Sequence, residues 1–332
     1  IKVIFEAAKE TYRQNAVDIF TDCPSRERAG WLCDSFFTGR AEWALTDQNS
    51  VEHNFLENIL LFHNDDILPD GMLPMCYPAD FPNGEFIPNW GMWFVLELEE
   101  YFNRTNNKEL LALSKDKVYA LWGYFKNFEN EFGLLEDLKG WVFVDWSDAN
   151  QHVTGVNYPS NMMYYAMLMV ISRLFHDTRA AHAAEKLKQV ICEKSYNGQF
   201  FADQAIREQG MLVNTGYTTE ACQNYAFFTG IATPESHVQL FDVFVHQFGM
   251  DRIAKGRYPE VPPANAFIGN YLRLDVLSRY HLSAELKENM KQYMLYMAER
   301  TGTLWESTGE SGSCNHGFAS HAAYWIRVHG IL

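Results

Sequence analysis

Apolar residues recur at three- and four-residue spacing along most of this chain, which is the pattern of amphipathic helices. The spacing predicts twelve helices, at roughly 2–19, 34–46, 50–63, 89–103, 108–130, 159–176, 178–195, 217–229, 234–247, 264–281, 284–300 and 316–330. Polar or proline starts support three of them: Asn107 before the fifth, Ser160 at the head of the sixth, and Pro234 at the first position of the ninth. The best strand candidate is the short run Trp141–Val144.

The number of helices favours one architecture. Alternating runs long enough for a sheet are missing, and no stretch rich in Pro, Ser or Gly divides the chain. We therefore predict an all-α fold, an (α/α)6 barrel of six helical hairpins in two rings, forming a single domain over residues 1–332. The intervening loops are rich in Gly, Pro, Asp and Trp, and binding residues are expected on them. These loops are 20–33, 64–88, 131–158, 196–216 and 301–315.

Composition narrows the possible partners. The chain has 332 residues, 47% of them hydrophobic and 15% aromatic, and a formal net charge of −15. This charge argues against nucleic acid and anionic membranes as partners, because their binders need basic patches. No apolar run approaches the roughly 18 residues that span a bilayer. The chain opens inside an amphipathic stretch, so we expect it to be a domain excised from a longer protein.

The six cysteines show no close pairing. They stand at positions 23, 33, 76, 192, 222 and 314, without a Cys-x-x-Cys spacing. This spacing does not favour a disulfide framework or a zinc site. We expect neither a metal nor another cofactor.

The most informative segment is the charged run from Asp22 to Asp34. It holds three carboxylates, two guanidinium groups and a tryptophan, and Pro24 and Gly30 argue against a continuous helix. An ordered loop of this kind can give its carboxyl groups different pKa values, since like charge or burial keeps one protonated while a cation keeps another ionised. Without further information, a solvated salt-bridged loop is the competing interpretation.

This run resembles the signature of the bacterial α-L-rhamnosidases of glycoside hydrolase family 78, Asp-Cys-Pro-x-Arg-x-Arg-x-Gly-Trp-x-x-Asp with an acidic residue between the arginines. A second block, Trp141–Asp148, looks like the Asp-Trp segment of that family. A third, Thr303–Glu306 followed by Gly312–Gly317, looks like its C-terminal catalytic segment. The three blocks occur in family order, so the resemblance covers nearly the whole chain.

The resemblance implies the same six-hairpin fold and a glycoside hydrolase that inverts configuration at a terminal α-L-rhamnose. Glu27 matches the proposed general acid and Glu306 the proposed general base. In an inverting enzyme the two carboxyl groups stand about 6.5–9.5 Å apart, with a water between them. A rhamnose-containing glycan or glycoside is then the expected partner, and periplasm or cytoplasm of a bacterium the expected compartment.

The resemblance also supplies a set of candidate substrate contacts. Ionised carboxylates accept hydrogen bonds from sugar hydroxyls strongly, and indoles suit the apolar face of a sugar ring. Asp145 and its neighbour Asp148 match less securely than the others, and one of them could simply tie down a loop. The candidates are Asp22, Arg26, Trp31, Asp34, Trp90, Asp145, Trp146, Trp305 and His316.

Some features depart from the family pattern and leave alternatives open. Cys33 fills a slot that is more often glycine, and Cys314 adds bulk before Asn315; both put the exact sugar in doubt. Family members carry β-sandwich domains beside the barrel, which we expect as partners in the parent chain. The alternatives are another (α/α)6 enzyme, such as a glycoside phosphorylase or polysaccharide lyase, and a non-catalytic carbohydrate-binding homologue.

Overall fold

The structure is a computed structural model that describes residues 1–64, 67–79 and 84–332. It divides the chain into two compact units. Unit 1 comprises Ile1–Tyr124 and Met290–Leu332, and unit 2 comprises Phe125–Asn289. Both boundaries, at Tyr124–Phe125 and at Asn289–Met290, fall inside helices rather than in linkers.

Twelve α-helices lie in the described part of the chain. They are α1 Lys2–Asn15, α2 Asp34–Thr46, α3 Ser50–Leu61, α4 Pro88–Thr105, α5 Lys108–Lys126, α6 Tyr158–Phe175, α7 Thr178–Ser195, α8 Glu220–Thr229, α9 Val238–His246, α10 Tyr271–Arg279, α11 Ser283–Thr301 and α12 Ala322–His329. All twelve predicted helices therefore have a counterpart, and the all-α prediction is confirmed.

Burial distinguishes two kinds of helix in each unit. In unit 1, α2 and α4 are buried on nearly all faces, whereas α1 and α3 bury one face and expose the other. In unit 2 the same contrast separates α6 and α8 from α7 and α9. Paired helices of this kind are expected when a fully buried helix is shielded by an amphipathic one. Among the described residues, no helix is both long and apolar enough to cross a membrane.

Short and long connections alternate along the chain. The connections after α2, α4 and α6 are short and begin with a left-handed residue, Asp47, Asn106 or His176, with φ of 57°, 51° and 53°. One residue in this conformation ends a helix and reverses the chain. The long connections follow odd-numbered helices, and these contain the three motif blocks. The backbone pattern therefore places the chemistry-bearing residues on long loops.

A small antiparallel sheet lies in unit 2. Its strands are β1 Val156–Asn157, β2 Gln204–Glu208 and β3 Met211–Asn214, in the order β1-β2-β3. Gln209 and Gly210 connect β2 to β3 with φ of 50° and 83°, the left-handed pair that a tight hairpin turn requires. The sheet therefore occupies a region that the sequence predicts as loop.

The predicted strand Trp141–Val144 is wrong. Val142, Phe143 and Val144 are buried, but none of them belongs to a strand or pairs with one in the part of the chain that the structure describes. The backbone of Val144 is satisfied by side chains instead: its N–H donates to Asn150 Oδ1 at 2.8 Å, and its carbonyl accepts from the Tyr225 hydroxyl at 2.8 Å. Apolar residues here mark a buried irregular segment.

Two predicted helix starts also differ. Helix α6 begins at Tyr158, capped by Asn157, whose Oδ1 accepts from the Ser160 N–H at 2.9 Å. Helix α9 begins at Val238, and Pro234 lies in a turn in which Thr233 and Ser236 bond each other. The Asn107 start is confirmed, because its Oδ1 accepts from the Leu110 N–H at 3.0 Å.

Candidate active site

The charged run between α1 and α2 is an ordered loop, as predicted. Residues 30–32, in the second half of this loop, pair with the segment 75–78. The Leu32 N–H donates to the Met75 carbonyl at 3.0 Å, and the Tyr77 N–H donates to the Gly30 carbonyl at 2.8 Å. A Cβ atom on Gly30 would overlap the Tyr77 carbonyl. The close approach of the two backbones therefore requires glycine at this position.

Asp22 fixes the beginning of the same loop. Its side chain is buried, and its Oδ1 accepts from the Ala29 N–H at 2.9 Å. Its backbone donates to the Ala29 carbonyl at 3.0 Å and accepts from the Gly317 N–H at 2.6 Å. Asp22 thus joins the beginning of the charged run to Ala29 and to the segment that precedes α12.

Arg26 brings the two proposed catalytic carboxyl groups together. Its Nη2 lies 3.3 Å from Glu27 Oε1 and 3.2 Å from Glu306 Oε2. The sum of these distances, 6.5 Å, is the largest separation that the two oxygens can have. Two residues 279 positions apart in the chain, the difference between 306 and 27, therefore face one guanidinium group.

The other oxygen of Glu27 is held by Trp31. The indole Nε1 donates to Glu27 Oε2 at 2.9 Å. Trp31 was predicted as a sugar contact, and its position beside Glu27 agrees with a place in the site. Its indole N–H also orients the carboxyl group, a role that the sequence does not suggest.

Glu306 is surrounded by donors from the loop between α11 and α12. Its Oε2 accepts from the Ser313 N–H at 2.8 Å and lies 3.7 Å from His316 Nδ1. Gly312 packs so closely that a Cβ there would come within 2.8 Å of the same oxygen. The carboxyl group is therefore held in one place by backbone and side chain together.

Asp34 and His316 form a buried pair. Asp34 Oδ1 and His316 Nε2 are 2.9 Å apart, and both side chains are almost completely buried. Burial raises the pKa of Asp34 to about 6, although the His316 hydrogen bond and charge lower it. Burial alone would lower the pKa of His316, but the hydrogen bond and charge of Asp34, with Glu306 and Asp22 nearby, raise it overall.

Unit 1 therefore collects four carboxyl groups, one guanidinium group and one imidazole from two distant parts of the chain. The carboxyl groups are Asp22, Glu27, Asp34 and Glu306. Such a group of acids with different degrees of burial can provide one proton donor, one acceptor and further acceptors for substrate hydroxyls. Among residues 1–64, 67–79 and 84–332, no cluster of His, Cys, Asp and Glu could hold a metal ion.

Asp145 lies in unit 2 and fastens a loop there. Its Oδ1 accepts from the N–H groups of Ile268 and Gly269 at 2.6 and 3.0 Å, and its Oδ2 accepts from Asn265 at 2.9 Å. Its side chain is fully buried, which raises its pKa to about 6. These contacts agree with the alternative in which the residue ties down a loop; its role in substrate binding stays a prediction.

Trp146 is exposed within the same unit. Its side chain packs against Phe143, with ring centroids 4.7 Å apart, and Trp141, at 5.9 Å, and the residue keeps 43% of its surface accessible. Its indole can therefore meet a ligand. Nearby Asp148 starts a short helical turn, and its Oδ1 accepts from Gln151 at 3.3 Å on the surface.

The other two predicted indoles are buried in unit 1. Trp305 is 1% exposed, donates to Thr301 Oγ1 at 2.8 Å and packs against Tyr296. Trp90 is 3% exposed. Both have packing roles in this structure, and their roles as sugar contacts stay predictions.

The chain matches one protein family over nearly its whole length. Residues 1–328 match the family model described as the bacterial alpha-L-rhamnosidase 6 hairpin glycosidase domain. The chain belongs to this family. No curated protein matches it at a significant level.

Solved structures show the same fold. The GH78 rhamnosidase of Bacillus sp. GL1 aligns with a TM-score of 0.83 at 18% identity, over 98% of this chain and 34% of that one. A rhamnosidase from Klebsiella oxytoca with rhamnose bound gives 0.78 at 16%, over 99% and 64%. The Streptomyces avermitilis α-L-rhamnosidase complexed with L-rhamnose gives 0.66 at 14%, over 98% and 31%. This chain thus spans about a third to two thirds of these relatives.

Membership of the bacterial α-L-rhamnosidase six-hairpin family confirms the recognition made from the three motif blocks and the (α/α)6 fold class. In this six-hairpin domain the Asp22–Asp34 run, Glu306 and His316 meet in unit 1, as the motifs imply. The sequence placed Gly312 and Ser313 in a motif block and 75–78 in a predicted loop, but it assigned none of them a role in the site. They act through backbone atoms or the absence of a side chain, so residue type gives no signal for them.

Proposed function

We propose that this six-hairpin domain is the catalytic domain of an inverting α-L-rhamnosidase, with Glu27 as general acid and Glu306 as general base. The observation that carries the proposal is the shared contact of both carboxyl groups with Arg26 Nη2. Because 6.5 Å is the largest separation these two oxygens can have, it reaches only the lower end of the inverting range and also includes the separation of about 5–5.5 Å typical of retaining enzymes. Inversion is therefore proposed from the family resemblance and not from this distance.

In this mechanism Glu27 protonates the glycosidic oxygen as the bond to the anomeric carbon breaks. Glu306 takes a proton from a water molecule that attacks the opposite face of the sugar. Arg26 must leave the space between the two carboxyl groups. Its side chain is 48% exposed, so it can turn toward solvent when a sugar enters.

Asp22, Asp34 and His316 are assigned to hold the sugar. Their buried polar groups favour a sugar whose hydroxyls meet each of them, because an unmet group costs its desolvation energy, about 1–3 kcal/mol. The rhamnose named in the Klebsiella and Streptomyces structures supports rhamnose as this sugar. The remaining length of the relatives supports a longer parent protein, whose flanking β domains we expect to take part.

The test is the hydrolysis of phenyl α-L-rhamnoside beside the phenyl glycosides of L-fucose, D-mannose and D-glucose, with the product anomer followed by proton NMR. We expect rhamnoside hydrolysis with β-L-rhamnose as the first product. First formation of the α-anomer would exclude inversion. Faster hydrolysis of another glycoside would assign the domain to a different sugar, and release that requires phosphate would indicate a phosphorylase.

A further inference from the structure

A carboxyl group that the proposed mechanism does not use lies buried where α4 meets the beginning of α2. It belongs to Glu97, which is fully buried and whose Oε2 accepts from the Ser35 hydroxyl at 2.5 Å. Among the described residues, its Oε1 has no hydrogen-bond partner. The nearby Arg104 directs Nη2 to both oxygens of Glu52 at 2.6 Å instead. One hydroxyl is therefore the bonded neighbour of this carboxyl group.

These contacts favour the neutral form of Glu97. An ionised carboxylate with a buried, unbonded oxygen is costly, because nothing replaces the water that it loses. Burial raises the pKa of Glu97 well above its ordinary range, and the charge of Glu52 adds to the rise. The Ser35 hydrogen bond and the charge of Arg104 oppose it but do not reverse it. Glu97 therefore holds its proton at neutral pH.

This neutral group contacts the first turn of α2. Ser35 is the second residue of that helix, directly after Asp34, and is fully buried. One turn before Glu97 on α4, Trp93 packs against Phe36, with ring centroids 4.9 Å apart. Helix α4 therefore holds two successive residues of α2, one by a hydrogen bond and the next by packing.

The backbone that enters α2 has little support of its own. Cys33 precedes Asp34 with φ of 73°, which is uncommon for a residue other than glycine, and its side chain does not cap the helix. Burial raises the pKa of the Cys33 thiol, and the charges of Asp34 and Glu97 add to the rise. This turn therefore lies close to both carboxyl groups. A strained turn persists only when contacts from outside it fix its position.

We propose that the neutral carboxyl group of Glu97 is a positioning residue for the sugar-binding acid. By holding Ser35, it keeps Asp34 where that carboxylate meets a hydroxyl of the sugar. The inference rests on the proposed function, in which Asp34 holds the sugar, and adds to it a residue of α4 that acts through Ser35 rather than on the substrate.

Three changes at this contact test the proposal. Ser35→Ala and Glu97→Leu each remove one half of the hydrogen bond, whereas Glu97→Gln keeps a neutral acceptor of nearly the same size. The matched control is Ser114→Ala, because Ser114 is a fully buried helical serine of the same unit, and its hydroxyl donates to the Leu111 carbonyl at 2.8 Å. Titration calorimetry measures affinity for L-rhamnose, nitrophenyl rhamnoside hydrolysis gives kcat and KM, and urea denaturation gives the free energy of unfolding.

We expect Ser35→Ala and Glu97→Leu each to weaken rhamnose binding about tenfold, the scale expected when a buried acceptor no longer meets its hydroxyl. KM should rise similarly with a smaller change in kcat, because the sugar makes this contact both before and during the reaction. The double variant should bind no more weakly than either single one, since all three lack the same hydrogen bond. Glu97→Gln should bind rhamnose as the wild type does. Ser114→Ala should lose stability without losing affinity.

The pH dependence of stability tests the neutral form. If folding raises the pKa of Glu97, the folded protein holds this proton more tightly than the unfolded chain, so wild-type stability falls as the pH rises above the unfolded-state value of about 4.3. Glu97→Gln lacks this proton, so its stability relative to the wild type should increase between pH 5 and pH 8. The other charged or titratable groups around the contact, from the turn before α2 and from α2, α3 and α4, are the same in both proteins: Cys33, Arg40, Glu42, Glu52, Glu100 and Arg104.

The outcomes separate positioning from the activity. Wild-type affinity in both Ser35→Ala and Glu97→Leu, beside weakened binding in Asp34→Ala, overturns the positioning role and leaves the rhamnosidase standing. Equal loss of affinity in Ser114→Ala also overturns it, and so does a stability difference between Glu97→Gln and the wild type that is constant with pH. Should Glu97→Leu fail to fold, Ser35→Ala and Glu97→Gln decide the question. Failure of the wild type to bind or hydrolyse any rhamnoside overturns the proposed function, and this inference with it.

Discussion

His316 and Asp34 stand 282 residues apart in the sequence and share a 2.9 Å hydrogen bond between Nε2 and Oδ1, with both side chains buried. The pair joins the N-terminus of α2 to the segment that precedes α12. Glu306 lies 3.7 Å from the other ring nitrogen. One imidazole therefore connects a proposed sugar-binding acid to the proposed base.

This pair predicts how rhamnose binding depends on pH. Burial raises the pKa of Asp34 to about 6, and the ionised carboxylate is the stronger acceptor for a sugar hydroxyl. As the pH falls through 6 the carboxylate is protonated, so affinity for L-rhamnose should decrease, by up to tenfold per pH unit for one group. Titration calorimetry between pH 4.5 and 8 measures this. In Asp34→Asn the part of this decrease that comes from the Asp34 carboxyl group should vanish; constant wild-type affinity would contradict the assignment.

A second prediction concerns the two catalytic carboxyl groups. Glu27→Gln and Glu306→Gln should each lower kcat on a rhamnosyl disaccharide by about 10²–10⁴-fold, the usual range for general acid or base removal. On a nitrophenyl rhamnoside, which needs little protonation, Glu27→Gln should lose much less than Glu306→Gln. Steady-state kinetics on both substrates decides this. Glu310→Gln, an exposed carboxyl in the same loop as Glu306, is the control. Equal losses on both substrates would refute the acid assignment.

A third prediction is that turnover requires glycine at position 312, because its backbone packs against the Glu306 carboxyl group. In Gly312→Ala the new Cβ would come within 2.8 Å of Glu306 Oε2 and push the carboxyl group away. We expect kcat to fall by about 10²-fold, the cost of a displacement near 1 Å, with a smaller change in KM. Gly309→Ala adds the same methyl in open space and should keep wild-type kinetics. Similar kcat values for the two variants would show that the base tolerates movement.

A stability prediction follows from a buried ion pair between α3 and α4. Both oxygens of Glu52 accept from Arg104 Nη2 at 2.6 Å, and Glu52 is completely buried. A Cβ on Gly39 would overlap the Glu52 carboxyl group. Gly39→Ala should therefore lower the free energy of unfolding by roughly 3–5 kcal/mol, the scale for breaking a buried pair.

The matched control for that variant is Gly123→Ala. Gly123 lies in α5 with nothing within 4 Å of a new Cβ. Alanine is the better helix former, so this change should raise the free energy of unfolding by about 0.5–1 kcal/mol. Urea denaturation of both variants measures the difference. A Gly39→Ala protein as stable as Gly123→Ala would show that Glu52 can relax without loss.

Helical periodicity predicts the amphipathic helices α1, α3, α7 and α9 well, because each of them buries one face and exposes the other. The first residue of each helix was harder to predict, since several residue types can cap the same helix. At α6 the cap is Asn157 rather than Ser160, and at α9 Pro234 occupies a turn before the helix. Apolar content also predicted a strand wrongly at Trp141–Val144. There the backbone of Val144 forms its hydrogen bonds with the side chains of Asn150 and Tyr225 instead of with a neighbouring strand.

In the candidate site, the contacts between residues far apart in the sequence could not be predicted from local sequence. Local sequence identified the loop that holds Glu27, but nothing local indicates that Arg26 meets Glu306 or that Asp34 meets His316. Only the resemblance of separated motif blocks placed these residues together. The contacts that the Ser313 N–H and the Gly312 backbone make with Glu306 could not be predicted, because neither depends on a recognisable side chain.

The last prediction concerns the sugar itself. L-rhamnose and L-fucose both carry a methyl at C6, so an apolar contact with that methyl cannot separate them. Discrimination should come from the buried carboxyl groups, because a hydroxyl of the wrong stereochemistry leaves one of them unpaired at about 1–3 kcal/mol. We expect rhamnose to bind about tenfold more tightly than L-fucose, as measured by inhibition of nitrophenyl rhamnoside hydrolysis. Asp34→Ala should narrow that ratio, because the paired hydroxyl is lost for both sugars. Asp137→Ala removes an exposed carboxyl group that accepts from the Gly155 N–H and should leave the ratio unchanged. Equal inhibition of the wild type by both sugars would show that Asp34 and its neighbours do not recognise hydroxyl stereochemistry, and the domain would then be a glycosidase for another sugar.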